Sequence, residues 1–246
     1  MSPRKPYFVA LRNTEQDARI SGYVDQLSTQ VEILAGLASQ LRAGSYTGTV
    51  GTLDSVVLVG HSFGSLTSGN VVAKYPALVD AVVLTGLAYS ASGIDPKLVL
   101  EAFAPRIASK HEPSKFSDLD TGYLTFVDII SHVNTFFKAP AYELEAAGYA
   151  HSISAPFAIA EFLGPQSPLA LNFEGPVLVT TGEFDFIVCR GECYSTFAEQ
   201  PLNDIFPKSK LIEAFVQPGA GHGVNFATNA TGFYAGISTS LERAGF

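Results

Sequence analysis

The amino-acid sequence predicts an α/β fold, with a mostly parallel sheet covered by helices on both faces. Apolar strand-like runs alternate with helix-like segments along residues 56–85 and again along residues 177–243, the order typical of parallel sheets. The run at residues 56–59 is short and contains only apolar residues, as expected for a strand buried on both faces. A chain of 246 residues that is 47% hydrophobic and 15% charged can bury a large core in a single domain.

The first predicted helix precedes the sheet. Ser21 is a plausible N-terminal cap and Gly44 a plausible end. Between them, apolar residues recur at spacings of three and four and predict one buried face: Val24, Leu27, Val31, Leu34, Ala38 and Leu41. The pattern lasts under three heptads, which favours packing on the core over a coiled-coil partner.

The other elements of the core follow in chain order. Strands are predicted at residues 56–59, 81–85, 177–181 and 210–216, and helices at residues 66–74 and 231–243. These elements assign residues 1–87 and 175–246 to the α/β core.

Residues 88–174 are predicted to form a helical cap inserted into this core. The segment is too long for a simple crossover and contains helix-like pieces at residues 97–107, 123–137 and 156–163, separated by prolines. Its aromatic residues either line an apolar substrate pocket or form the core of the insertion itself: Phe126, Phe136, Phe137, Tyr142, Phe157 and Phe162.

Charge and hydropathy argue against nucleic acids and membranes as partners. A net charge of −8 and a pI near 5.1 disfavour nucleic acids and anionic membranes, which attract clustered lysine and arginine. No apolar run approaches the 18 residues of a membrane-spanning helix. The N-terminal stretch MSPRKPYFVAL contains charged residues, but its apolar segment is too short for a signal peptide.

The cysteines and one sequon bear on location. Cys189 and Cys193 are the only two cysteines and are close enough to close a small loop, which would stabilise the fold by about 2 kcal/mol. Reduced thiols are the alternative, and a zinc site is disfavoured because two thiols without nearby histidines leave the metal half coordinated. Asn229 begins an N-glycosylation sequon. A disulfide and a sequon favour an extracellular location.

Residues 56–65, VVLVGHSFGS, contain the motif that carries chemistry. Here G-x-S-x-G follows a buried strand and precedes a helix, where it forms a sharp turn that exposes the serine hydroxyl. The flanking Gly60 and Gly64 remove side chains that would collide in that turn. The motif predicts Ser62 as a nucleophile and the Phe63 backbone N–H as an oxyanion donor; a turn without function is the alternative.

A serine nucleophile needs a histidine base that is itself oriented by a carboxylate. In residues 177–185, VLVTTGEFD, a predicted buried strand is followed by two acidic residues. We select Asp185 as the carboxylate that orients the histidine, with Glu183 as the alternative. Residues 217–225, QPGAGHGVN, place His222 in a glycine-rich loop after the last strand. Of the remaining histidines, His61 lies in the turn that contains Ser62, and three lie in the predicted insertion: His111, His132 and His151.

The elbow GHSFGS, the strand end GEFD and the loop GAGHG, in this order, resemble the α/β-hydrolase superfamily. The stretch SGYVDQLSTQVEIL and the cysteine pair after the acid are similar to fungal, often secreted, members with an AB-hydrolase domain. The resemblance covers roughly residues 20–246. It implies a parallel sheet, a helical cap over the active site and no cofactor.

The N-terminus departs from the family pattern. Members carry three or four strands before the first predicted helix, and a His-Gly type loop there donates the second oxyanion N–H. In this sequence only residues 6–11 have strand character, and no His-Gly or Gly-Gly pair precedes the elbow. Two interpretations stay open: a copy with an incomplete sheet, or a loop before Ser21 that donates in another way.

The sequence therefore predicts a serine hydrolase of the esterase/lipase type that acts on a small apolar ester with Ser62, Asp185 and His222. A same-fold lyase or cofactor-free peroxidase that reuses the three residues is one alternative. A hydrolase-like binding protein or inactive remnant is the other. No metal is expected in any of these readings.

Overall fold

The structure of the chain is a computed structural model that describes residues 20–45, 47–48, 51–89, 95–163 and 168–246. The strand predicted at residues 6–11 lies outside the described residues. In the described part the strands are, in chain order, β1 (Val57–His61), β2 (Ala81–Thr85), β3 (Arg106–Ile107), β4 (Tyr123–Thr125), β5 (Phe157–Ala158), β6 (Val177–Gly182) and β7 (Ile212–Gln217).

The helices of the described part are α1 (Leu27–Arg42), α2 (Phe63–Lys74), α3 (Pro96–Phe103), α4 (Ala108–His111), α5 (Pro113–Phe116), α6 (Ile129–Phe136), α7 (Leu144–Ser152), α8 (Phe186–Cys189), α9 (Cys193–Glu199), α10 (Leu202–Ile205) and α11 (Ala230–Arg243). In the same part of the chain, 3₁₀ helices span Ile159–Leu163 and Val224–Phe226. None of these helices combines the length and apolarity that a bilayer crossing demands.

The main sheet is parallel, with strand order β1-β2-β6-β7. Its two central strands, β2 and β6, are buried along their whole length, which accounts for their uninterrupted apolar sequences. On β7, Ile212 packs on the cluster that contains α1 and α2, whereas Phe215 packs against Phe233 of α11. Successive strand side chains point to opposite faces, so helices cover both faces and the predicted α/β class is confirmed.

Helix α1 begins later than predicted. It starts at Leu27 after Gln26, and Val24 lies before it with 61% of its surface exposed. The prediction of a cap at Ser21 was wrong because residues 21–25 form a turn instead, in which the N–H groups of Val24 and Asp25 donate to the Ser21 carbonyl. The end was predicted correctly: Gly44 follows the helix with φ +82°, a conformation that glycine adopts without strain.

The segment between β2 and β6 contains strands as well as helices. Strands β3, β4 and β5 form a small antiparallel sheet, with Ile107 opposite Leu124 and Leu124 opposite Phe157. The single helix predicted over residues 123–137 is wrong in its first half, because Asp128 caps α6 by accepting from Ser131 N–H at 2.8 Å. The helices predicted at residues 97–107 and 156–163 likewise end or begin in this sheet.

An aromatic cluster joins this segment to the residues after β6. Phe103 contacts Phe126, Phe136 and Phe157, with ring centroids 4.8–5.8 Å apart. The same cluster includes Ile187, Val188, Cys189 and Cys193. Phe137 instead contacts Tyr142 and Phe226. The aromatic residues thus form a shared core between the insertion and α8.

His132 is buried within this aromatic region. Its ring stacks on Phe126 with centroids 4.4 Å apart, and its Nδ1 lies 3.3 Å from Nδ1 of His151. Burial, with a further contribution from His151, lowers the pKa of His132 to about 4. His151 lies on α7, which packs against α6, and it is the neighbouring side chain that adds to the effect of burial on the pKa of His132.

We expect the protein to lose stability as the pH falls from about 6.5 to about 4. In this range an unfolded His132 binds a proton and the folded one does not, so the free energy of unfolding decreases by up to about 1.4 kcal/mol per pH unit from this group. Urea unfolding at several pH values measures the slope. His132→Phe should flatten it while leaving the pH dependence above pH 7 unchanged; identical slopes in both proteins would contradict the assignment.

Candidate active site

Ser62 occupies a strained turn between β1 and α2. Its backbone has φ 54° and ψ −119°, a conformation that costs a non-glycine residue about 1–3 kcal/mol. A Cβ at Gly60 would lie 2.4 Å from the Gly64 carbonyl oxygen, so the turn requires glycine at that position. The Ser62 N–H donates to the Thr85 carbonyl at 2.8 Å, which fixes the turn against β2.

Phe63 is the first residue of α2. The N–H groups in the first turn of a helix have no acceptor within the helix, and they lie at the positive end of its dipole. The Phe63 N–H directly follows Ser62 in the backbone, where it can donate a hydrogen bond to an oxyanion that forms at the serine. The loop before Ser21, considered as the source of a second donor, belongs to residues 1–19 and lies outside the described residues.

Asp185 follows β6 and caps α8. Its Oδ1 accepts from the N–H groups of Ile187 at 2.9 Å and Val188 at 3.1 Å. Its Oδ2 accepts from the hydroxyl of Thr181 at 2.5 Å and lies 2.7 Å from His222 Nδ1. Burial raises the pKa of this carboxyl, but His222 and these hydrogen bonds outweigh burial and hold the pKa below its ordinary value. Asp185 is therefore ionised and fully buried.

Glu183, the alternative acid, is occupied elsewhere. Its carboxylate accepts from the Gly219 N–H at 2.8 Å and so supports the loop that carries His222. Asn229 supports the same loop, because its side-chain amide donates to the Pro218 carbonyl at 2.8 Å. Its glycosylation remains a prediction. The carboxylate in contact with His222 is that of Asp185.

His222 is fully buried in the loop after β7. Because Asp185 is ionised and can only accept, Nδ1 of His222 carries the proton and Nε2 presents a lone pair. Within the described residues, Nε2 has no hydrogen-bond partner. Phe136 covers the ring with centroids 5.0 Å apart, and its carbonyl accepts from the Gly223 N–H. The histidine is thus oriented, shielded from water and free to accept one proton.

His61, next to Ser62, is a second imidazole at the site. The Thr85 hydroxyl lies 2.8 Å from the Gly60 carbonyl, to which it donates its single proton, and 2.9 Å from His61 Nδ1. His61 therefore donates from Nδ1 to Thr85. Desolvation and then His222 lower the pKa of His61 to about 3, with Asp185 opposing them, so the ring is neutral at ordinary pH.

Gly86 brings the parts of the site together. It follows β2 with φ +58°, and a Cβ there would lie 2.7 Å from Cε1 of His61 and 3.1 Å from Cε1 of His222. The two imidazole rings have centroids 5.0 Å apart. The Ser62 N–H is hydrogen-bonded to the carbonyl of Thr85, the residue before Gly86. Ser62, His61, His222 and Asp185 therefore come together at the carboxyl ends of β1, β2 and β6. Among the described contacts, no hydrogen bond joins Ser62 Oγ to His222 Nε2.

Three residues of this site were missed in the sequence: Thr181, Thr85 and Gly86. His61 was considered only as a histidine of the serine turn, and Phe136 only as a residue of the pocket or of the insertion's own core. A signal existed for Thr181, since a hydroxyl in a buried strand such as VLVTTG needs a partner. The described part of the chain contains no group of three or more histidine, cysteine, aspartate or glutamate side chains that could hold a metal ion.

The predicted disulfide between Cys189 and Cys193 is present, with Cα atoms 5.0 Å apart. It joins the end of α8 to the start of α9, directly after Asp185. The main chain adds to this connection, because the Gly191 N–H donates to the Asp185 carbonyl and the Cys193 N–H donates to the Glu183 carbonyl. The bridge therefore closes the segment that holds the buried carboxylate.

We expect replacement of both cysteines by alanine to lower the free energy of unfolding by about 2 kcal/mol, because the small loop regains entropy in the unfolded chain. Urea unfolding of the double variant and of the oxidised wild type measures the difference. Equal midpoints and slopes would show that the bridge contributes nothing to stability.

Comparison with known proteins supports the fold. The family model described as the alpha/beta hydrolase fold matches residues 52–226. An esterase from Thermogutta terrifontis is 19% identical, with a TM-score of 0.59 over 90% of this chain and 74% of the esterase. A bromoperoxidase from Bacillus anthracis is 17% identical, with a TM-score of 0.59 over 94% of this chain and 79% of that protein. No curated protein sequence matches.

At these identities the solved structures show the fold alone. The family model, in contrast, spans well over half of the chain, from the residues before β1 to the 3₁₀ helix that follows His222. The chain belongs to the α/β-hydrolase family.

Proposed function

We propose that this protein is a serine hydrolase that cleaves small apolar carboxylic esters. The observation that carries the proposal is the buried pair of Asp185 and His222, with Nδ1 and Oδ2 2.7 Å apart. Nε2 of His222 has no hydrogen-bond partner in the part of the chain that the structure describes, and its ring centroid lies 5.0 Å from that of His61, the residue before Ser62. A neutral imidazole with one nitrogen held by a carboxylate is the base that a serine hydroxyl requires.

The proposed reaction begins at Ser62. Its Oγ attacks the ester carbonyl while its proton moves to His222 Nε2, which requires a rotation of the serine side chain toward that nitrogen. The Phe63 N–H binds the oxyanion. Asp185 stabilises the imidazolium and remains ionised. When the intermediate collapses, the C–O bond breaks and the alcohol leaves with the proton from Nε2, which yields an acyl-serine.

Water completes the cycle. It gives a proton to Nε2 and attacks the acyl carbon, and the proton then returns to Ser62 as the carboxylic acid leaves. Phe136 beside His222, with Phe137 and Phe226 in contact nearby, makes the surroundings apolar and supports an apolar ester as the substrate. If Phe63 acts without a second oxyanion donor, turnover should be about 10²- to 10³-fold slower than with two.

Rates on p-nitrophenyl esters of increasing acyl length test this proposal. We expect saturable release of p-nitrophenol above the rate of the heat-denatured protein. No enzyme-dependent release from any ester of the series would contradict it.

A peroxidase-type reaction is the second candidate, favoured by the similarity in fold to a bromoperoxidase. In it, hydrogen peroxide replaces water in the attack on the acyl-serine and releases a peracid, which then oxidises a halide. Adding peroxide and bromide to the ester assay separates the two reactions, because only the second brominates an indicator dye. Hydrolysis without bromination supports the esterase.

A further inference from the structure

Thr181 lies at the end of β6, one residue after another buried threonine. Both side chains are completely buried, yet their hydroxyls differ. Thr181 Oγ1 donates to Asp185 Oδ2 at 2.5 Å, whereas Thr180 Oγ1 has no hydrogen-bond partner within the described residues. A buried hydroxyl usually has a partner, and the Thr181 partner is the carboxylate of the proposed active site.

The oxygen that Thr181 contacts is the oxygen that holds His222. Each carboxylate oxygen has two lone-pair positions. On Asp185 the backbone N–H groups of Ile187 and Val188 occupy those of Oδ1, and Thr181 and His222 occupy those of Oδ2. Without Thr181, Oδ2 would be held by His222 alone, and only the two hydrogen bonds to Oδ1 would then fix the tilt of the carboxylate relative to the imidazole.

Thr181 itself is rigidly held. Its strand pairs with β7 through Thr181 and Val216, and the residue before it pairs with Thr85 of β2. A β-branched side chain in a strand has few rotamers available. The hydrogen bond from this hydroxyl therefore holds the Asp185 carboxylate in a fixed position relative to β6.

We propose that Thr181 is a positioning residue that fixes Asp185, and through it His222, in the orientation in which Nε2 accepts the proton of Ser62. This inference rests on the proposed function. It adds a side chain that does not touch the substrate.

The test compares three variants of two neighbouring residues. Thr181→Val removes the hydroxyl that binds Asp185, and Thr180→Val makes the same change on a buried hydroxyl without a partner in the described residues. We expect Thr181→Val to lower kcat about 10-fold or more with KM unchanged, as for loss of a hydrogen bond to a charged group. Thr180→Val should retain the wild-type kcat. Thr181→Ser, which keeps the hydroxyl, should recover most of the activity.

If Thr181→Val does not fold, Thr181→Ala replaces it and is compared with Thr181→Ser, since both lack the methyl group and only one has the hydroxyl. A second readout is independent of turnover: the Nδ1 proton of His222, 2.7 Å from Asp185 in its donor–acceptor distance, should give a downfield NMR resonance. We expect that resonance to change its chemical shift in Thr181→Val and Thr181→Ala but not in Thr180→Val or Thr181→Ser.

The two proposals fail in different ways. A wild type that cleaves no ester defeats the proposed function, while the resonance still shows whether Thr181 positions the pair. An active wild type with equal kcat and equal resonance in Thr181→Val and Thr180→Val overturns the inference about Thr181.

Discussion

Ser62→Ala should reduce kcat for ester hydrolysis by about 10⁴-fold or more, because the side chain that forms the acyl intermediate is gone. The fold should survive, since the backbone of the turn is fixed by hydrogen bonds that alanine retains, such as that of residue 62 to the Thr85 carbonyl. Initial rates on p-nitrophenyl acetate, with circular dichroism as the check of folding, measure the effect. A folded variant with wild-type turnover would exclude Ser62 as the nucleophile.

Ser62→Gly provides the matched control. It should be equally inactive but more stable than Ser62→Ala by about 1 kcal/mol, since glycine adopts the backbone with φ 54° without strain. A thermal or urea comparison of the two inactive variants therefore separates the strain in the turn from the chemistry of the hydroxyl. Equal stabilities would mean that the turn is not strained.

Asp185→Asn should lower kcat by about 10⁴-fold with little change in the fold. The asparagine oxygen can still accept from the Ile187 and Val188 N–H groups, but its amide then faces Thr181 and His222. An amide donor at that position favours the tautomer of His222 with the proton on Nε2, which cannot act as the base for Ser62.

Glu183→Gln is the control for the neighbouring acid. Glu183 accepts from the Gly219 N–H, an interaction that a glutamine oxygen can keep, so kcat should remain close to that of the wild type. A large loss in Glu183→Gln together with a small loss in Asp185→Asn would reverse the assignment of the acid.

The sequence predicted the parts of the fold in which one physical rule dominates. The strand at residues 81–85 matches β2 residue for residue, because a strand buried on both faces leaves an uninterrupted apolar run. The turn at Ser62 could be predicted because glycine is required sterically at Gly60; the same expectation for Gly64 was wrong, since a Cβ there would meet no atom within 4 Å among the described residues. Asp185 was chosen over Glu183 from position in the sequence, and in the structure it is the acid that contacts His222.

Features that depend on contacts between distant parts of the chain could not be predicted from the sequence. Strand β5 has only two residues, and it exists because β4 pairs with it; no periodicity can develop over so short a run. The roles of Thr85 and Gly86 appear only when β2 lies between β1 and β6. Helix α1 was predicted too long because Val24 fits the helical spacing by chance, although the turn at Ser21 exposes it.

The central claim is that Ser62 is a nucleophile activated by His222 and Asp185. Reaction with a fluorophosphonate, followed by intact-mass spectrometry and peptide mapping, tests it most directly because the probe reacts with activated serines without depending on the identity of the substrate. We expect one adduct per chain, located on Ser62 and lost in Ser62→Ala and on heat denaturation. A folded wild-type protein that acquires no adduct, or acquires it at another serine, would contradict the claim and favour a binding role for the fold.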